Sequence, residues 1–512
     1  MKFYKYIILL LLVNVVASCN DFLDEPTSKS TNIPVSSLEH LDALLNDYSQ
    51  FNTESNSTAI FGTDDFGFET ELFDASPGGN AYSISMAQYG LWDRENVQFD
   101  IRAYWPQEWE KIFTANLVLL NLPDVSGDDN EKKQIKAEAH FIRVYSYFQL
   151  ANTYCLPYSD ATGSELGLPI KQSTSFEENL ERVTLSETWA FMEEDLQKAL
   201  ELSRDFEEVN SLNRSWRAST AAVNAFAARF YLALNDYVKA QEHAQTALNE
   251  YSVLRDYNSE MQFSDQPAEI TLFNTDGTTE QFNIDFPYTH DTQNADLQLE
   301  WGESYYYRVL DNGQWKYWPS QELLGLYDQS YDLRYKYHIV EGFSYDQASA
   351  VDPPYDYPGY IFFDRSKILS GPSVSEMMLI KAECQVRQGD FGSGITTVNM
   401  LRAMRMDNTA PSSVINLAAS SQSEALVKVL EERRREMPFV HRWYDVRRYN
   451  NNNDPADDVV ISRTFYPFNR NSILGADTPI NFTLDKNSRK YATPIPDSDI
   501  ISSNGVLQQN TY

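Results

Sequence analysis

The sequence predicts a mainly α-helical chain in which helix pairs form a scaffold and long loop-rich insertions carry the recognition chemistry. Three observations lead there: amphipathic stripes at helical spacing, two segments that match each other at an offset of 154 residues, and long intervening stretches without periodicity. At 512 residues and 42% hydrophobic content the chain can bury an extensive core. A formal net charge of −33 disfavours nucleic acid and direct contact with anionic lipid, leaving neutral or locally basic partners.

In chain order, Lys2 and Lys5 flank an apolar run from Tyr6 to Val16, and the small residues Ala17 and Ser18 stand directly before Cys19. About 11 apolar residues fall short of the ~20 that span a bilayer, so 1–18 reads as a signal peptide. Small residues followed at once by cysteine resemble a bacterial lipobox, which makes Cys19 a lipid anchor, and several acyl chains on it meet the two-signal requirement for stable attachment. Residues 19–34 are polar, carry Pro26 and Pro34, and read as a tether of up to about 50 Å. The rest, 35–512, reads as one body with halves at about 35–255 and 256–512.

Residues Gln50 to Arg102 have poor periodicity. A helix then starts at Trp105, with Trp109, Ile112 and Asn116 at helical spacing and a stop at Pro123; both tryptophans read as core. "KAEAHFIRVYSYFQLANTY" supplies a second helix, ending before Pro157. The matching segments are "AARFYLALNDYVKAQEHAQTAL" and "KAECQVRQGDFGSGITTVNMLR". Each is an amphipathic helix, an Asn-Asp or Gly-Asp turn, an aromatic (Tyr237, Phe391) and a second helix with small residues at Ala240, Ala244 and Ala247 or at Gly394. That is the logic of tetratricopeptide repeats, in which small side chains let paired helices approach closely. In the first helix Val223, Phe226, Ala227, Phe230 and Leu234 form the apolar stripe.

Between the repeats, roughly Tyr257 to Ser370, Gly, Pro, Asn and Asp are frequent, and "AEITLFN" and "TEQFNIDF" suggest short strands. Cys155 and Cys384 lie too far apart for metal-ligand spacing. Cys384 occupies a helical apolar position beside Met377 and Ile380, so both read as buried free thiols, with one disulfide as the alternative.

The densest basic run is "LEERRREMPFVHRWYDVRRYN". Glu431 and Glu432 face Arg435 at i+4 and i+3, and Arg433 continues the apolar line of Leu426, Val429 and Leu430, so these arginines read as internally paired. At this run the chain resembles the SusD/RagB outer-membrane nutrient-binding lipoproteins. The resemblance rests on "CNDFLDEP", "WEKIFTANLVL", "AEAHFIRVYSYFQLANTYCLPY", "RASTAAVNAFAARFYLALNDYVKA", "PSQELLGLYDQSYDLR", "SEMMLIKAECQVRQGDF", "EERRREMPFVHRWYDVRRY" and "KYATPIPDSDIISSNGVLQQNTY", in that order. One departure is "FVHRW", where the family more usually has an acidic residue and glycine after the phenylalanine. The resemblance implies about four tetratricopeptide-like helix pairs under a loop-rich, aromatic-rich face. It also implies a non-catalytic role: capturing a glycan at the cell surface and delivering it to a SusC-like TonB-dependent transporter, with the helical side toward the transporter.

Sugar recognition needs aromatic faces and nearby groups that bind hydroxyls. With 32 tyrosines and 9 tryptophans the chain has such groups, and two loop regions concentrate them. The first supplies Trp92, Asp93, Arg94 and Asn96; the second supplies Trp301, Tyr305, Tyr306, Tyr307, Arg308 and Trp315, with at least one of the three tyrosines expected to face inward. Asp65, in "TDDFGFETE", is a further candidate for binding hydroxyls. Trp318 reads as a staple onto the "PSQELL" helix.

No His pair at metal-ligand spacing, nucleophile elbow or phosphate loop is present, so catalytic residues, metals and cofactors are not expected. A glycosidase built on two of the 74 acidic residues, a peptide cargo, and a protein-binding repeat scaffold are the alternatives.

Overall fold

The computed structural model describes residues 35–97, 104–175, 178–273, 276–291, 298–351 and 354–512. The expected signal peptide, Cys19 and the tether lie outside the described residues. The principal helices are α1 (Leu38–Leu45), α2 (Tyr104–Asn121), α3 (Asp129–Tyr154), α4 (Leu185–Ala199), α5 (Thr220–Ala233), α6 (Tyr237–Glu250), α7 (Val374–Arg387), α8 (Phe391–Arg402), α9 (Gln422–Glu436) and α10 (Arg442–Tyr449). Helix α2 packs on α3, α3 on α4, α5 on α6, α6 on α7 and α7 on α8, while α9 lies against both α7 and α8. The result is the mainly α, tetratricopeptide-like scaffold that the sequence predicts.

Local chemistry sets the helix ends. The Asp128 carboxylate accepts from the backbone N–H of Asn130 and Glu131 at 3.0 Å to start α3. Thr184 and Glu187 form a reciprocal capping box at the start of α4. The internal repeat is visible residue by residue. Asn235 and Gly389, one at each turn, have φ of 58° and 93°, and the following Asp236 and Asp390 cap α6 and α8. Asparagine and glycine are the residues that tolerate this left-handed geometry best. Ala240 and Gly394 are also equivalent: a Cβ on Gly394 would stand 2.5 Å from Val386 Cγ2, so the second pair leaves no room for a side chain there.

Two cores result. One lies among the helices and includes Phe141, Phe148, Phe226, Phe230 and Met377; the other lies under the loops and includes Phe66, Phe68, Tyr82, Trp301, Trp318 and Phe439. Cys155 and Cys384 are buried free thiols, as expected. The strands are short. β1 (Thr53–Glu54), β4 (Val309–Asp311) and β7 (Lys367–Leu369) form one small sheet; β2 (Ala268–Phe273) with β3 (Thr279–Ile284), β5 (Ile339–Val340) with β6 (Gly359–Tyr360), and β8 (Ile461–Phe465) with β9 (Ile480–Leu484) form antiparallel pairs. The two predicted strands are β2 and β3.

The arginine run joins the two layers. Arg435 pairs with Glu432 at 2.8 Å, as the helical spacing predicts, and Arg433 reaches Asp445 at 2.7 Å. Arg434 leaves the helix for Asp65 at 2.5 Å, and Arg442 grips both oxygens of Asp64 at 2.7 and 2.6 Å. Burial alone would raise the Asp64 carboxyl; the guanidiniums of Arg442 and Arg434 outweigh it and hold the carboxyl well below the ordinary carboxylate range.

Two buried histidines are expected to make the fold acid-sensitive. His338 donates from Nδ1 to the Ile361 carbonyl at 2.8 Å and accepts from the Tyr257 hydroxyl at Nε2, 3.1 Å away, which fixes the neutral form. Burial lowers its pKa to about 4 and that of His441 well below the ordinary value. The unfolded chain therefore takes up protons first on acidification. The histidine contribution to stability is complete above pH about 6.5 and is lost as pH falls toward 4. Urea unfolding at pH 7 and pH 5 is expected to give a lower unfolding free energy at pH 5, and equal values would refute the neutral assignment.

Candidate functional site

Strands β1 and β4 run side by side in parallel, with Thr53 opposite Val309 and Glu54 opposite Leu310. Parallel neighbours deliver their C-terminal ends to the same edge, so the segments that follow, Ser55–Thr58 and Asn312–Gln314, meet. Together with Ser85, Tyr89, Tyr104 and Thr493 they line a cleft of about 310 Å³.

Each wall is held by hydrogen bonds. Asn56 caps the short helix Ser57–Phe61, its Oδ1 accepting from the Ala59 N–H at 3.1 Å, while its Nδ2 donates to Thr153 Oγ1 at 2.9 Å. After β4, the Asn312 N–H donates to the Ser366 carbonyl at 2.8 Å. Its side chain accepts from the Gln314 N–H at 3.1 Å and donates to the Lys316 carbonyl at 2.6 Å. The half-buried Ser55, Ser57, Ser85 and Gln314 bring neutral hydroxyl and amide groups to this edge. Tyr104, 4% exposed, has a buried hydroxyl with no hydrogen-bond partner among the described residues. An unmade buried bond of this kind costs about 1–3 kcal/mol.

The cleft joins the two loop regions singled out in the sequence, but through other residues. Trp92 is 1% exposed, with Nε1 donating to the Gly62 carbonyl at 2.9 Å and Arg463 5.2 Å from its ring. Arg94 is buried, with Nε on the Lys490 carbonyl at 2.8 Å. Trp301 is covered by Arg255, 4.9 Å from its ring, and by Phe362 at 4.9 Å. Tyr305, Tyr306 and Tyr307 are all buried because their segment lies between the two cores: Tyr305 and Tyr306 join the helical one and Tyr307 the loop-side one. Arg308 is buried with its guanidinium 3.7 Å from the Tyr306 ring. Asp65, fully buried, holds Arg434 and accepts from the Phe439 N–H at 2.9 Å. The expectation of ligand contact at these eight residues is corrected by their packing, which leaves them no free face. Trp318 is likewise core, its Nε1 donating to the Ala81 carbonyl at 3.0 Å.

Three candidates stay at the surface. Asp93 accepts from the N–H groups of Glu95 and Asn96, and Asn96 is exposed. Trp315, next in the chain to Gln314, is 51% exposed and held at φ 59°. The lining residues Asn56, Ser85, Tyr89, Tyr104, Asn312 and Gln314 escaped the sequence reading. The Asn-Gly turn at 312–313 was the available signal for the β4 side.

Other depressions differ in chemistry. A cleft of about 520 Å³ beside Trp105, Trp109 and Phe113 is mostly apolar, and a wide one of about 1400 Å³ lies on the helical layer near Tyr237, Leu430 and Asn452. Among the described residues no group of three or more His, Cys, Asp or Glu side chains could hold a metal ion, and no helix is long and apolar enough to cross a membrane.

A SusD-like family model, described as starch-binding and associating with the outer membrane, matches residues 21–232, and the SusD family model matches 374–512. The chain belongs to the SusD/RagB family. A SusD-like protein of Formosa agariphila is 23% identical over 100% of this chain and 99% of its own length. Among solved structures, a SusD superfamily protein from Bacteroides vulgatus aligns with a TM-score of 0.60 at 17% identity, covering 93% of this chain and 99% of that one. Surface glycan-binding protein A from Bacteroides uniformis aligns at 0.59 and 14%, covering 92% and 99%. For this SusD/RagB chain the turn Asn312–Trp315 falls between the two matched stretches, whereas Asn56, Tyr104 and Thr493 fall within them.

Proposed function

We propose that this SusD/RagB chain is a non-catalytic, cell-surface glycan-binding lipoprotein, anchored in the outer membrane through Cys19. In this reading it captures oligo- or polysaccharide at the Tyr104–Gln314 cleft and passes it to a SusC-like TonB-dependent transporter docked on the helical layer. The observation that carries the reading is family membership combined with a polar cleft whose Tyr104 hydroxyl has no partner among the described residues. The names of the relatives support the glycan, and the lipobox supports the anchor.

The binding-only reading draws further support from Asp64 and Asp65, the densest acid pair of the loops. Both are held by arginines and so are not poised as general acid and base. The test is calorimetry and affinity electrophoresis of the full chain in detergent against plant, fungal and host polysaccharides. Saturable binding without release of reducing sugar is expected. Released sugar would refute a binding-only role, and a peptide as the sole ligand would refute the glycan.

Trp315 stands beside the cleft with half its surface free, so Trp315→Ala is expected to weaken capture roughly tenfold, the scale of one lost aromatic contact, with an unchanged melting temperature. Unaltered affinity would remove this residue from the site.

A further inference from the structure

Resting on the capture reading, we infer that the cargo of this cleft is an uncharged saccharide, bound through its hydroxyls, and that glycans bearing carboxylate or sulfate are excluded. The lining residues supply serine and threonine hydroxyls, tyrosines, Asn56, Asn312 and Gln314, and among the described residues no Lys, Arg or His joins them. Among the described residues the single charged one in the lining is an acid, Asp311.

Nearby cations are turned elsewhere. The Lys316 ammonium donates to the Asn80 carbonyl. Arg308, just before β4, donates to the Tyr307 carbonyl at 2.8 Å and stacks on Tyr306. Arg94 is buried away from the lining and donates from Nε to the Lys490 carbonyl, while its two Nη atoms have no partner among the described residues. An anionic sugar entering here would surrender hydration without gaining a cationic partner, and it would approach a chain of net charge −33. A neutral sugar meets the groups that match it. Its hydroxyls both donate and accept, as do the serine, amide and phenol groups of the lining. Tyr104 lines the same cleft, and among the described residues its buried hydroxyl has no hydrogen-bond partner. At about 310 Å³ the cleft sits at the lower end of the roughly 300–1,000 Å³ range of small-ligand sites, so it holds a short stretch of a chain rather than a long one.

The experiment sets neutral polymers (mixed-linkage glucan, xylan, galactomannan) against anionic ones (alginate, polygalacturonate, sulfated galactan), using the full chain in detergent. Saturable binding of a neutral polymer is expected, with affinity unchanged between 50 and 500 mM salt, and no binding of the anionic set. Tyr104→Phe should weaken the neutral interaction roughly tenfold while leaving the melting temperature equal or higher, because the lost hydroxyl has no partner among the described residues. Gln314→Lys, which adds a cation at the turn, should confer salt-sensitive affinity for the anionic set. Saturable, salt-sensitive binding of an anionic polymer by the unaltered chain overturns the charge assignment while leaving capture intact. Full affinity in Tyr104→Phe overturns the placement. Failure of every polymer to bind overturns the capture reading and this inference together.

Discussion

Replacing Glu432 by alanine is expected to destabilise the protein by about 3–5 kcal/mol, the scale found when one member of a buried ion cluster is removed. The carboxylate is fully buried and holds three guanidiniums: Arg402 at 2.6 Å, Arg334 at 2.8 Å and Arg435 at 2.8 Å. Burial pushes its pKa upward, but Arg334, Arg435 and Arg402 overcome that and hold the group well below the ordinary carboxylate range. Without it, Arg334 keeps Asp332 and Glu436, whereas Arg402 and Arg435 are left with main-chain carbonyls and the distant Glu431. The loss is a large share of the roughly 5–15 kcal/mol that holds a typical domain. Guanidinium unfolding measures it directly. A change below about 1 kcal/mol would mean that water or rearranged side chains replace the carboxylate.

The second large effect is expected at Trp443, on α10. The ring is fully buried among Ala59, Trp92, Val446, Ile461, Leu484 and Tyr491, and its Nε1 donates to the Asn152 carbonyl at 3.2 Å. It also lies against Gly62, where any Cβ would come within 3.2 Å of it. Trp443→Ala opens a cavity under the Ser57–Phe61 helix and leaves a buried carbonyl unmade, for an expected loss of about 3–5 kcal/mol. That helix forms one wall of the cleft, so glycan affinity is expected to fall along with stability. Trp443→Phe, which keeps most of the apolar surface, should recover part of both. If affinity holds while stability drops, the wall is anchored elsewhere.

These two residues mark the boundary of what sequence can disclose. Helices, caps and the internal repeat depend on neighbours within a few positions, and Asn235–Asp236 and Gly389–Asp390 can be read directly. The pairing of Glu432 with Arg435 is of the same kind. Its pairing with Arg334 and Arg402 is not, because those partners arrive from distant elements. The candidate site fails for the same reason. Trp92 and Trp315 both stand in aperiodic, polar surroundings and both have positive φ, yet one is roofed by Arg463 and the other is open to solvent. No local pattern separates them. Tyrosine abundance misleads in the same direction: Tyr305 to Tyr307 resemble a recognition surface, but two cores meet around them and all three are enclosed.

The parallel pairing of β1 with β4 also governs when the cleft comes into being. Thr53 and Val309 are joined across half of the chain and Asp64 and Arg442 across nearly three quarters of it, and contacts of such high order form slowly because a long loop must close first. Neighbouring helices, by contrast, meet early. During synthesis residues 55–104 emerge well before 311–315, so a partly made chain holds one wall of the cleft without the other. Possession of the cleft is therefore a mark of completed folding, and sugar binding can serve as a stringent assay of whether a variant has reached its native topology.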